Sequence, residues 1–153
     1  MADHNHIVRN PEYERTVRDS FAVQGLMRTY GARLGRVAPG EVDIVVPFSE
    51  SLTQQAGFFH AGVTTAAADS ACGYAALTLM TPGSEVLSVE FKTNLLAPAR
   101  GDRIEARGRV VRSGRTITVC RAEVFAIADD DGGRETHCAT MVATMIRVDA
   151  PGT

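Results

Sequence analysis

The sequence predicts an α+β fold: an antiparallel sheet of about six strands wrapped around one central helix, with a helical segment at the N-terminus. Three observations carry this. Residues 61–80 form one run of small apolar residues with helical length and a single charge. Four long segments after it are strand-like, rich in β-branched residues and separated by Pro, Gly or Asp turns. Two shorter strand-like segments precede the run, and one apolar helix beside about six strands is best buried if the sheet curls around it.

The elements follow in order. Residues 1–10 are polar and expected to be frayed; His4 and His6 lie there without carboxylate or Cys partners, which makes them weak metal ligands. Asn10-Pro11 starts a helix, with Glu12 and Glu14 in its first turn and Tyr13, Val17 and Phe21 as its apolar stripe. A break is expected near Ser20, with Ser20 capping a second segment through Met27, and Gly31 ending the helical region. Strands are expected over 32–38 and 41–48, joined at Pro39-Gly40. Residues 48–59 form the loop that feeds the central helix. Further strands are expected over 86–96, 103–112, 116–128 and 135–148. Alternation in the first of these sets Leu87, Val89, Phe91 and Leu95 on one face, and Ser88, Glu90, Lys92 and Asn94 on the other. In the next, Ile104, Ala106, Gly108 and Val110 point inward. The predicted domain is 11–148, followed by a tail over 149–153.

Asp69 is the residue that most needs a reason, being the one charge on the buried helix. An ionised carboxylate there costs several kcal/mol unless it is paired, hydrogen-bonded or left a polar cavity. Three readings stand: a satisfied structural Asp, part of a transmembrane span, or a catalytic carboxylate. Thr, Ser and Gly content and the lack of basic flanks argue against the span; the catalytic reading leads. His60 lies nine positions earlier, about 900° of rotation and about 13 Å of rise away, so the two residues fall on opposite helix sides. One copy of the helix cannot bring them together, whereas two antiparallel copies across a two-fold axis can.

Composition narrows the classes further. With 153 residues, 22% charged residues and net charge −2, the chain makes one domain with no basic footprint for nucleic acid or an acidic membrane. Trp is absent, which weakens base stacking. Cys72, Cys120 and Cys138 are odd in number and widely spaced, as expected of reduced thiols rather than a disulfide framework. With no apolar leader visible in the first thirty residues, the expected location is cytoplasmic. No Gly-x-Ser-x-Gly elbow occurs, and no metal-ligand cluster is visible; His137, isolated in the last strand, is expected to be structural.

The run Q-Q-A-G-F-F-H-A-G over 54–62, with Asp69 nine positions after the His, resembles the hotdog-fold acyl-CoA thioesterases, most closely their phenylacetic-acid-degradation (PaaI-like) branch. The stretch S-V-E-F-K-T-N-L-L-A-P-A-R-G over 88–101 and the hairpin R-S-G-R-T-I-T-V over 112–119 resemble that branch too, so the likeness runs from about Phe21 to Arg147. It implies a thioester hydrolase acting on a small aryl or short to medium acyl-CoA, with no cofactor beyond the CoA thioester itself, assembled as a dimer and further as a dimer of dimers. The resemblance assigns Asp69 as the catalytic carboxylate and Gln54 as a ligand of water or the thioester carbonyl. His60 becomes the positioning residue, and the Ala61 N–H the donor to the thioester oxygen. Gly62 falls in the substrate-binding loop, and Ser88 matches a hydroxyl that orients water. Ala61 stands where the branch has the first Gly of His-Gly-Gly; the donor is backbone, so Ala can serve if its dihedrals allow. Strand parity sets Ser88 on the polar face with Glu90, which leaves a solvated hydroxyl as its other reading. Arg112, Ser113, Gly114 and Arg115 form a basic hairpin that could meet CoA phosphates through the planar guanidinium, or could simply be a charged surface turn. Two other functions stay open: a dehydratase or hydratase on acyl thioesters, and a non-catalytic acyl-CoA-binding module.

Overall fold

The computed structural model describes residues 6–151. Helix α1 (Tyr13–Val23) and the short α2 (Gly25–Thr29) come first, then strands β1 (Arg33–Ala38) and β2 (Glu41–Pro47). The long helix α3 (Ala61–Leu77) follows, and then β3 (Ser84–Leu95), β4 (Arg103–Ser113), β5 (Ile117–Ala128) and β6 (Arg134–Asp149). One six-stranded sheet results, in the order β1-β2-β4-β5-β6-β3, with antiparallel neighbours throughout. The chain leaves β2, crosses the inner face of the sheet as α3, and re-enters at the far edge as β3. That crossing is why a single helix touches every strand from β2 to β6.

Small residues set how closely the helix sits. Ala67, Ala68, Ala71, Ala75 and Ala76 are all fully covered, and no long side chain props α3 away from the strands. The nearest approach is at Gly108 on β4, where a Cβ would collide with the backbone of Ala71 and Cys72. Gly108 is thus a packing glycine rather than a turn glycine. The inward set expected for β4 is found: Ile104, Ala106, Gly108 and Val110 are buried. On the outer face Asp43 pairs with Arg109 at 2.5 Å, and His137 stacks on Phe125 and bonds Glu123 at 2.7 Å, a structural role as expected.

Several expectations need correction. The break in the N-terminal helix falls at Gln24, whose backbone is extended (φ −72°, ψ 107°), and not at Ser20. Ser20 is interior to α1 and turns toward Tyr74. Asn10 and Arg9 are not frayed. Asn10 is buried and its side chain accepts the Glu12 N–H at 3.0 Å, while Arg9 donates to the Leu79 carbonyl at 3.0 Å. His4 lies outside the described residues. Asp149 belongs to β6 rather than to a tail.

The largest correction concerns β3. Ser88 faces Met145 across the ladder and Glu90 faces Thr144, so Val89 is an extra residue, a β-bulge. Residues opposite one another share a face, and Met145 is fully buried on the helix side. Ser88 therefore points at α3. Past the bulge the phase is reversed: Phe91, Thr93 and Leu95 pair with the buried Ala143, Met141 and Ala139 and also face inward. Leu87 and Phe91 do not share a face, and Ser88 does not share one with Glu90.

Candidate active site

The turn into α3 is built around His60. Its extended backbone (φ −63°, ψ 142°) makes it the N-cap, and its Nδ1 accepts the Gly62 N–H at 2.8 Å. The His60 carbonyl takes the Val63 N–H at 2.9 Å and the Thr64 N–H at 3.4 Å. One donor is left over: among the described residues the Ala61 N–H has no protein partner, and it lies at the positive end of a 17-residue helix. His60 thus serves its own helix end and consumes the Gly62 donor. With Nδ1 accepting, the neutral imidazole carries its proton on Nε2.

Asp69 lies two turns further on, half-buried. Ser88 Oγ donates to Asp69 Oδ1 at 2.6 Å, a short charge-assisted bond. It exists because the bulge at Val89 turns Ser88 inward. Oδ2 has no protein partner among the described residues.

These two groups occupy separate cavities in the protomer. Asp69 and Ser88 line a space of about 490 Å³, with Ser84, Glu85 and Val86 from the start of β3 and with α1 opposite. Gln54, Ala61 and Thr64 line another of about 410 Å³, with Phe58, and with Leu95 and Leu96 at the end of β3. Gln54 holds the loop through its side-chain oxygen, which accepts the Ala56 N–H. The structure brings Asp69 together with Ser88, and Gln54 together with Ala61, but places the pairs at opposite ends of one edge strand.

The basic hairpin resolves differently from its sequence reading. Ser113, Gly114 and Arg115 line a small cavity of about 170 Å³, and Arg9 and Arg147 complete it. Arg112 does not line it. Sequence reasoning missed Arg9 and Arg147 because they come from the N-terminus and from β6, far from the hairpin in the chain. Arg147 is held there by Asp149 at 3.0 Å. All three cysteines are free and buried; burial pushes Cys120 up to about 12 and Cys138 up to about 11. Among the described residues no helix is long and apolar enough to cross a membrane, so the span reading of α3 falls away.

Solved structures share this fold. The solved structure of a thioesterase family protein from Silicibacter pomeroyi is 48% identical, covers 90% of this chain and 99% of its own, and superposes with a TM-score of 0.86. The PaaI protein of the phenylacetic acid degradation operon of E. coli is only 15% identical but has the same fold, with a TM-score of 0.79 over 93% of this chain and 97% of that one. A curated Saccharolobus solfataricus protein named as an esterase is 33% identical over 90 residues, 59% of this chain, and the match spans 63% of that protein's length. The family model described as the thioesterase superfamily matches residues 56–132, from the loop before His60 through β5. With a hotdog architecture and this match over half its length, the chain belongs to the thioesterase superfamily.

Proposed function

We propose that the protein is a cytoplasmic acyl-CoA thioesterase working as a homodimer, and that it releases CoA from small aryl or short to medium acyl-CoA. The observation that carries this is the placement of two incomplete half-sites at the two ends of β3. The edge of β3 is long and apolar, with Leu87, Val89, Phe91, Leu95 and Leu96 44–59% exposed, and such edges are normally paired or covered. Antiparallel pairing of β3 with its copy sets the start of one strand beside the end of the other. The Asp69–Ser88 cavity of one protomer then joins the Gln54–Ala61 cavity of its partner. Thr93 Oγ1, near the end of the same strand, supports this: it is the one buried side-chain polar atom without a partner among the described residues, and such atoms call for an explanation.

In the joined site the thioester carbonyl oxygen accepts from the Ala61 N–H, where the helix dipole favours developing negative charge. Asp69 acts through Oδ2, with Oδ1 held by Ser88. As a general base it takes a proton from water while the water oxygen bonds to the carbonyl carbon; the C–S bond then breaks, and CoA thiolate leaves and is protonated. As a nucleophile, Asp69 itself would form the C–O bond and water would hydrolyse the anhydride. Both fit the geometry. Gln54 orients the carbonyl or the water. The cavity of Arg9, Arg115 and Arg147 is the candidate seat for CoA phosphates. The reading calls on no cofactor, and a dimer of dimers is the expected assembly.

The test mixes two dead subunits. Gln54→Ala and Asp69→Asn homodimers should each release little CoA, detected as free thiol. In a mixed dimer one site carries both lesions and the other carries none. Equal mixing makes about half the dimers mixed, so about a quarter of all sites regain activity if subunits exchange completely. No recovery, with exchange confirmed by native mass spectrometry, sinks the shared site. Full turnover by folded Asp69→Asn sinks the assignment of Asp69.

A further inference from the structure

Three side chains in a row on β3 are left incomplete by the protomer. Thr93 Oγ1 is buried without a hydrogen-bond partner. Lys92 donates to Asn94 Oδ1 at 2.7 Å and, among the described residues, meets no carboxylate. Glu90 accepts from Thr144 Oγ1 and, among the described residues, meets no cation. The strand is the outermost of the sheet on its side, so whatever completes these groups comes from beyond that edge.

Pairing β3 with its copy across a two-fold axis allows few registers. Residues directly opposite share a face, and the bulge makes Ser88 and Glu90 successive positions of the ladder. Ser88, Phe91, Thr93 and Leu95 therefore face inward, and Glu90, Lys92 and Asn94 outward. A register is fixed by the residue that meets its own copy on the axis. Glu90 there sets two carboxylates opposite each other, and Lys92 there sets two ammonium groups opposite each other; both are destabilising. Thr93 on the axis leaves Lys92 facing the partner's Asn94 and Glu90 facing Leu96, past the end of the strand. Phe91 on the axis pairs Lys92 with the partner's Glu90 and Glu90 with the partner's Lys92. It also packs the two Phe91 rings, each 44% exposed in the protomer, against one another. In that register, and in that one alone of the four, Thr93 falls opposite the partner's Ser88.

We propose that Thr93 is a positioning residue of the active site across the axis: its hydroxyl donates to the partner's Ser88 Oγ, which donates in turn to Asp69 Oδ1. This rests on the β3 pairing and on Asp69 acting at the thioester. Opposite residues have Cβ atoms about 4.5–5.5 Å apart, within reach for two hydroxyls. The direction follows from the proton count. A serine hydroxyl has one proton to give, and that of Ser88 goes to Asp69 at 2.6 Å, with the Met145 sulfur at 3.4 Å the weaker claimant. Ser88 can then only accept, and Thr93 can only donate. Hydrogen bonds in series polarise one another, so Thr93 tightens the hold of Ser88 on the carboxylate. Each site draws Asp69 and Ser88 from one protomer, and Gln54, the Ala61 N–H and Thr93 from the other.

The experiment removes the hydroxyl and checks the register separately. Thr93→Val, close in shape, should lower kcat about fivefold with KM within about twofold and sedimentation unchanged, and Thr93→Ser should recover most of the loss. Combined with Ser88→Ala, Thr93→Val should cost nothing further, since both act through one carboxylate. Lys92→Glu should weaken the dimer at least tenfold, and adding Glu90→Lys should restore it. Wild-type kcat in folded Thr93→Val overturns the proposal, as does a loss that adds in full to that of Ser88→Ala. A Lys92→Glu dimer as tight as wild type overturns the register. If the wild-type enzyme releases no CoA, the hydrolase reading fails on its own; the contact is then read from Thr93→Cys with Ser88→Cys under mild oxidation, where failure to form a disulfide between subunits overturns it.

Discussion

Ser88→Ala tests the site most sharply, because one hydroxyl is removed from a strand edge where its partners are Asp69 and, more weakly, the sulfur of Met145 at 3.4 Å. Ser88 Oγ lies 2.6 Å from Asp69 Oδ1, and hydrogen bonds to charged groups contribute about 1.5–3 kcal/mol. Ser88 is exposed at the edge of the protomer, so the lower figure, about 1.5 kcal/mol, is the working value. If that bond holds the carboxylate in register with the thioester, its loss lowers kcat about tenfold, at about 1.4 kcal/mol per decade. KM should stay within about twofold, since the hydroxyl is spent on Asp69 and not on substrate. Ser88→Thr keeps an oxygen at the same point and should recover most of the loss. The assay is steady-state CoA release by thiol detection, beside urea midpoints for each variant. A Ser88→Ala enzyme with wild-type kcat and an unchanged midpoint would show that Ser88 positions nothing. A loss shared equally by the alanine and threonine variants would assign the effect to the bulge itself.

Other outcomes follow from the same coordinates. Gly108→Ala drives a methyl into the backbone of Ala71 and Cys72; with backbone rather than a flexible side chain in the way, the cost should lie near the top of the usual 1–3 kcal/mol for overpacking, and Tm by calorimetry should fall by roughly 4–12 °C. An unmoved Tm would mean that α3 sits further from β4 than described. Phe91→Lys, placing a charge on the apolar edge of β3, should shift sedimentation toward monomer and abolish activity with the fold retained by circular dichroism; an active monomer would refute the joined site. Alkaline pH should destabilise the protein through its thiols. Cys120 keeps its proton up to about 12 when folded, against 9.0 as its ordinary value, so its contribution is whole below pH 9 and lost as pH rises through that window. The fall in urea midpoint between pH 8 and pH 10.5 should be shallower in Cys120→Ala, and equal slopes would count against that account.

Much of the fold could be read from residue periodicity. The small-residue run at 61–80 was best read as a buried helix, which the structure ends at Leu77, and the alternation Ile104, Ala106, Gly108, Val110 gave the inner face of β4 correctly. Asp69 stood out because a charge on such a helix demands a reason, and its nine-residue offset from His60 already argued for two copies. What failed was phase. A bulge is one uncounted residue, and nothing in V-L-S-V-E-F says that Val89 is the extra one; the strict alternation therefore turned Ser88 away from the residue it binds. The helix break was misplaced for a related reason: Ser20 is a good cap by type, but its hydroxyl is drawn across the cavity to Tyr74. Arg9, Arg147, Gln24 and Ser70 carry no local signal, since each acquires its neighbours only when distant segments meet.

The seat of α3 on β4 has a consequence for how proteins of this layout can diverge. A helix held by alanines and a glycine has almost no rotamers to rearrange, and any enlargement there meets main chain. That wall is fixed, and drift on it is purged. On the other side of α3 lies α1, a short amphipathic segment whose buried anchor is Val17, while Thr16, Ser20 and Gln24 are half-buried and held only by side-chain hydrogen bonds. Substitutions can accumulate at those three positions at little cost to folding. Variation in what such an enzyme accepts is therefore open to α1 and to the cavity-facing positions of α3, and closed to the alanine face that rests on β4.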